Sequence, residues 1–144
     1  MDNKVKAYGV AIYKINNNNI KILLCKSVSS AKRWGFLKGV SEKLETKEET
    51  AIRELYEESS IVVKYEHLEK YFEQKNETKD IGIFLVNYDK IKKFNHYFLD
   101  NKLLNHHLSW ENTDVEFFSI DKVPKIKKKQ KKIMTKVVEY LNNI

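Results

Sequence analysis

The chain has 144 residues, 42% of them hydrophobic and 33% charged, with four glycines and one proline, a balance that fits one compact globular domain spanning residues 1–144. No apolar run approaches the roughly 18 residues that a membrane span needs, and the N-terminal MDNKVKAYGV lacks the apolar centre of a signal peptide, so no membrane association and a cytoplasmic location are expected. A lone cysteine, Cys25, excludes an internal disulfide, and of the net charge of +7, residues 121–144 carry +6, leaving the rest of the chain nearly neutral.

Val5–Ile15 is rich in Val, Ile and Tyr and reads as a strand ending at the turn-prone Asn16–Asn19, with Ile20–Ser27 as its hairpin partner. Cys25 lies in that second, largely apolar run and is expected to be a small core residue. Val28–Lys32 has no apolar periodicity and reads as a loop. Trp34-Gly35-Phe36-Leu37-Lys38-Gly39 follows, in which Trp34 and Phe36 are open to two readings, core packing or stacking on a nucleobase.

Gly39–Ile61 reads GVSEKLETKEETAIRELYEESSI, with seven glutamates in 23 positions. Clustered carboxylates repel one another unless a cation lies between them. Thr46 and Glu49 have the spacing of a capping box, so a helix is expected from Thr46 to about Ser59. Ala51, Ile52 and Leu55 face a core, while Glu54, Glu57 and Glu58 converge on a second side at spacings of about 5–6 Å between Cβ atoms. Three carboxylates so arranged suit a hard divalent cation, Mg²⁺ or Mn²⁺, shared with substrate phosphates. Arg53 stands four residues from both Glu49 and Glu57 and can pair with either. The competing reading is a solvated helix face laced with ion pairs.

The spacing from Gly39 through Glu45, Arg53-Glu54-Leu55 and Glu57-Glu58 to Ile61 resembles the Nudix box, G-x5-E-x7-R-E-U-x-E-E-x-G-U, where U is aliphatic. Ser60 stands at the last glycine of the box, Leu44 where many members have glycine, and Leu37 where many have proline; all three concern backbone turns. The resemblance implies an α/β (α+β) fold, an α/β/α sandwich of a mixed sheet with a box helix and a C-terminal helix. It also implies hydrolysis of a nucleoside diphosphate linked to another group. Glu54, Glu57 and Glu58 would hold the metal with a main-chain carbonyl at Lys38 or Gly39, Arg53 and Glu45 would support them, and Lys38 and Trp34 are candidate substrate contacts.

Beyond the box, Ile61–Tyr65, Tyr71–Glu73, Ile81–Tyr88 and Phe94–Leu99 read as strands, with Gln74–Asp80 a hairpin loop and Asp100–Ser109 an irregular loop holding His106 and His107. Paired histidines without a partner Cys or spaced acid are expected to face solvent. Trp110–Pro124 resembles a late family element in which a Glu precedes an aromatic by six residues. Phe117 matches the aromatic, which makes Glu111 the expected general base or extra ligand, with Glu116 the runner-up. Ile126–Leu141 reads as a closing helix with Ile126, Ile133, Val137 and Leu141 on one side and lysines over the rest, open to a solvated face or to an RNA phosphate contact.

The WGFLKG stretch resembles decapping enzymes, diadenosine tetraphosphate hydrolases and RNA pyrophosphohydrolases, so nucleotide 5′-ends of RNA or dinucleoside polyphosphates are the leading substrates. A house-cleaning nucleoside triphosphate pyrophosphatase and a non-catalytic nucleotide-binding module remain open, as does the choice between monomer and homodimer.

Overall fold

The computed structural model describes residues 4–29, 32–92 and 96–144. Ser30 and Ala31 of the expected loop and Phe94 of an expected strand lie outside them. β1 (Val5–Asn16) and β2 (Asn19–Ser27) form the expected hairpin, turning where Asn17 takes the left-handed conformation that asparagine tolerates. The described strands form a mixed sheet in the order β4-β5-β1-β2-β8-β7-β6, comprising β4 (Tyr71–Lys75), β5 (Lys79–Asn87), β6 (Phe98–Leu99), β7 (Lys102–Leu103) and β8 (Asn112–Ser119) beside the hairpin. β3 (Leu37–Val40) pairs antiparallel with the start of β1, and β1 runs parallel to β5.

Alternation along the central strands sends side chains to two cores. Val10, Ile12, Leu23 and Cys25 pack with Ala51 and Leu55 of the helix α1 (Lys47–Ser59). Ala11, Tyr13, Ile22 and Leu24 pack with Ile133, Val137 and Leu141 of the helix α2 (Lys131–Asn142). The sheet is therefore covered on both faces, the expected α/β/α arrangement. Cys25 is a core residue: its thiol donates to the Phe36 carbonyl at 3.6 Å, and burial pushes its pKa up to about 12. No helix among the described residues is long and apolar enough to cross a membrane.

Ile61–Tyr65 is not a strand. Ile61 and Val63 are buried while Val62 is exposed, so the β-like alternation belongs to an extended segment laid on the α1-side core, ending in a 3₁₀ turn at Tyr65–His67. Asp100–Ser109 contains β7 and a 3₁₀ turn at Asn105–His107. The closing helix starts at Lys131 rather than Ile126. The backbone before it is engaged elsewhere: the Ile126 carbonyl accepts from Arg33 Nη1 at 2.9 Å and Lys127 N–H donates to the Trp34 carbonyl at 2.9 Å. A chain bonded sideways to a neighbouring segment cannot also make helical i to i−4 bonds.

Candidate active site

α1 begins with the predicted capping box: Glu49 N–H donates to Thr46 Oγ1 at 3.1 Å and Thr46 N–H donates to Glu49 Oε1 at 2.9 Å. That occupies Glu49, so Arg53 pairs not with it but with Glu45, Glu54 and Glu57. Buried Ala51 and Leu55 fix the rotation of the helix on the sheet. Glu54, Glu57 and Glu58 then face a cavity of about 590 Å³, lined also by Lys38, Gly39 and Val40 of β3 and by Ser109, Trp110 and Glu111 ahead of β8.

Gly39 explains its own place in the motif. A Cβ there would overlap the Glu54 carboxylate, so only glycine lets that carboxylate lie against the β3 backbone. Glu58 is buried, and its Oε2 has no hydrogen-bond partner among the described residues. Burial first, then the Glu54 carboxylate, pushes its pKa up to about 8, against the opposing pull of Asn112 and Lys38. Glu54 is raised as well, by burial and then by Glu57, with Arg53 opposing. Glu111 lies close enough to add to both shifts.

The last turn of α1 carries Glu57 and Glu58 and no basic residue, although a helix C-terminus favours cations. An orphaned carboxylate oxygen, three acids on adjacent turns and a glycine backbone beside them form an oxygen-rich set that fits a hard divalent cation. Among the described residues no three such side chains are already gathered around one point; Glu54 and Glu57 instead both accept from Arg53 Nη1, at 2.9 and 3.1 Å.

Arg53 is held from behind. Its Nε donates to Glu45 Oε2 at 2.7 Å, and its Nη2 donates to Glu45 Oε1 at 3.0 Å and to the Val40 carbonyl at 3.1 Å. Glu45 also accepts from Thr50 Oγ1 and Glu42 N–H, and the Arg53 guanidinium above all holds its pKa down at about 2. Glu45 thus lies outside the cavity and is bonded to Arg53.

Trp34 is not brought to the cleft. Its ring packs edge-to-face on Phe118 at 4.6 Å in the α2-side core, beneath Lys26 Nζ, so of its two expected roles the structure supports packing, on the sheet face opposite α1. Glu116 sits within β8, opposite Leu24, and lines a separate cavity of about 410 Å³ with Leu99–Asn105. His106 and His107 stack on each other at 4.0 Å, away from the carboxylates.

Ser109 and Trp110 of the cleft, and Asn112 beside Glu58, had not been singled out. Trp110 is 84% exposed and presents its indole at the lip beside Glu111. Ser109 Oγ is buried with no partner among the described residues, and Asn112 is buried beside Glu58. The one sequence signal for Trp110 was its place next to the candidate Glu, in a polar stretch where burial cannot explain a tryptophan.

The NUDIX domain family matches residues 5–140. No curated protein matches the chain in sequence. Among solved structures, Caenorhabditis elegans Ap4A hydrolase in a binary complex superposes with a TM-score of 0.67 at 21% identity, covering 97% of this chain and 99% of that one. The NUDIX domain of Shewanella oneidensis NrtR, complexed with ADP ribose, gives 0.67 at 13% identity over 96% and 88% of the two chains. An ADP-ribose pyrophosphatase of Streptococcus suis gives 0.58 at 15% identity over 95% and 91%. At these identities the likeness is one of fold. With the family match spanning nearly the whole chain and Glu54, Glu57 and Glu58 of the box at one cleft, the protein belongs to the Nudix family of pyrophosphohydrolases.

Proposed function

We propose that this protein is a Mg²⁺- or Mn²⁺-dependent pyrophosphohydrolase that cleaves a nucleoside diphosphate linked to a further group, with dinucleoside polyphosphates and 5′-phosphorylated RNA ends as its leading substrates. The observation that carries the proposal is the meeting of Glu54, Glu57, Glu58, Gly39 and Glu111 in one cavity. The C. elegans Ap4A hydrolase, matched over nearly its full length, supports the substrate lean.

Glu54, Glu57 and Glu58, with the Gly39 carbonyl, would hold the cation. When bound, it neutralises phosphate oxygens and lowers the pKa of a water so that the water can attack phosphorus. Arg53 orients the Glu54 and Glu57 carboxylates, and Glu45 keeps Arg53 in place. Glu111 takes the proton of the attacking water. Lys38 meets the substrate's phosphates as a point charge, and Trp110 offers a flat apolar face to a base.

The test is product release with Mg²⁺ from dinucleoside polyphosphates, nucleoside triphosphates, ADP-ribose and 5′-triphosphorylated or capped RNA, with Glu57→Gln as control. Fastest turnover of RNA ends or dinucleoside polyphosphates, abolished in the variant, supports the proposal. Fastest turnover of a nucleoside triphosphate shifts it to a house-cleaning enzyme. Nucleotide binding with no turnover of any substrate replaces it with a binding module.

A further inference from the structure

Lys38 borders a second cavity. With Lys79 at the start of β5 and Lys127, Lys128 and Lys129 ahead of α2, it lines an open space of about 240 Å³ bordered also by Ile81 and Gln130. Five lysines line this one small space, and like charges so placed repel one another unless an anion lies among them. None of the five makes an ion pair among the described residues, and the nearby Asp80 is engaged by Lys4 at 3.2 Å.

This arrangement is built, not a loose fringe of surface lysines. Buried Gln130 accepts from Phe36 N–H at 2.8 Å, and Gly35 leaves the room for its amide, because a Cβ there would press into the Gln130 side chain. Trp34 N–H donates to the Lys125 carbonyl at 2.8 Å, and Lys127 Nζ donates to Ser27 Oγ at 3.3 Å. On the other side Asn76 Nδ2 donates to the Lys129 carbonyl at 3.1 Å, and Gln74 Oε1 caps α2 by accepting from Ile133 N–H at 2.9 Å. The strap 127–130 is thus fastened both to the segment that leads into β3 and to the β4–β5 hairpin. Those are the elements that carry Lys38 and Lys79.

We infer that this lysine cavity is a second phosphate-binding site, which holds the end of a substrate's phosphate chain remote from the bond cleaved in the carboxylate cleft. The inference rests on the proposed pyrophosphohydrolase reading. Lys38 borders both spaces, so a chain of three or more phosphates passes beside it from one to the other. The ligand class is a terminal or bridging polyphosphate, from a dinucleoside polyphosphate or from a triphosphorylated RNA end.

The experiment is calorimetric binding of inorganic tripolyphosphate in EDTA at low salt, to wild type, to Lys79→Gln and to the double variant Lys127→Gln with Lys129→Gln. The folding of each protein is checked by its melting temperature. Tripolyphosphate should bind the wild type, and each variant should bind about tenfold or more weakly, the worth of a lost charge-assisted contact. Because the readout needs neither metal nor turnover, it holds or fails independently of hydrolysis. Variants that fold and bind tripolyphosphate as the wild type does overturn the inference. Competition identifies the source: displacement by a dinucleoside tetraphosphate or by a 5′-triphosphorylated oligoribonucleotide supports the site and says which molecule fills it. Equal displacement by the same oligoribonucleotide with a 5′-hydroxyl would mean backbone binding and overturns it.

Discussion

Glu45 and Arg53 form a two-point ion pair, with Nε to Oε2 at 2.7 Å and Nη2 to Oε1 at 3.0 Å, although eight residues separate them and only Arg53 lies on the helix. The pair ties the loop before α1 to the side chain that orients Glu54 and Glu57. Its loss should act on activity at a distance: Glu45→Gln should lower turnover by about 10–100-fold, as changes behind metal ligands do.

The same pair sets a pH dependence. Glu45 has a folded pKa of about 2, below the usual value of about 4.3. Its contribution to stability is therefore complete above about 4.3 and is lost as pH falls from there towards 2. Urea midpoints measured in EDTA between pH 6 and pH 2.5 should fall less steeply for Glu45→Gln than for wild type. Equal slopes would show that the pair does not contribute.

Glu111 borders the carboxylate cleft and Glu116 another cavity, so the two glutamates should separate cleanly. Glu111→Gln is expected to cost about 10²–10⁴ in kcat, the worth of a general base, and Glu116→Gln no more than about twofold. The reverse pattern would move the base to Glu116.

Leu44 and Ser60 stand where the box pattern favours glycine, and both take the left-handed backbone conformation, at φ 68° and φ 67°. Each side chain there costs about 1–2 kcal/mol, part of which glycine would return as lost chain entropy. Leu44 is 94% exposed and has no packing to lose. Leu44→Gly and Ser60→Gly should each raise the melting temperature by about 1–4 °C in calorimetry. Leu44→Ala, which keeps the Cβ, should not. A glycine variant that melts lower would locate the strain elsewhere.

Trp110 is exposed, so Trp110→Ala should leave the melting temperature unchanged. Loss of a stacking face worth about 1–3 kcal/mol per base should raise KM for nucleotide substrates by about tenfold or more, with kcat little changed. Trp110→Phe should restore most of the affinity. If both variants match wild type in KM, the base lies elsewhere.

Local chemistry carried much of this protein in its sequence. The capping box at Thr46 and Glu49, the helical spacing of Glu54, Glu57 and Glu58, and the hairpin around Asn17 each depend on residues within a few positions of one another, so a linear reading finds them. Alternation failed at Ile61–Tyr65, because a buried extended segment and a strand share one pattern and differ in whether a neighbour offers hydrogen bonds. It failed again at 126–130, where bonds to Trp34 and Arg33 across the chain overrode helical periodicity.

Tertiary structure alone decided which charged groups meet. Trp34 was open to core packing or base stacking as a residue; the packing of α2 took it into a core, while the turn before β8 left Trp110 at the cleft. The gathering of Lys38, Lys79 and Lys127–Lys129 around one space joins segments far apart in the chain. Charge acts through distance in space, and no spacing along the sequence encodes that distance until the sheet has set the register of its strands.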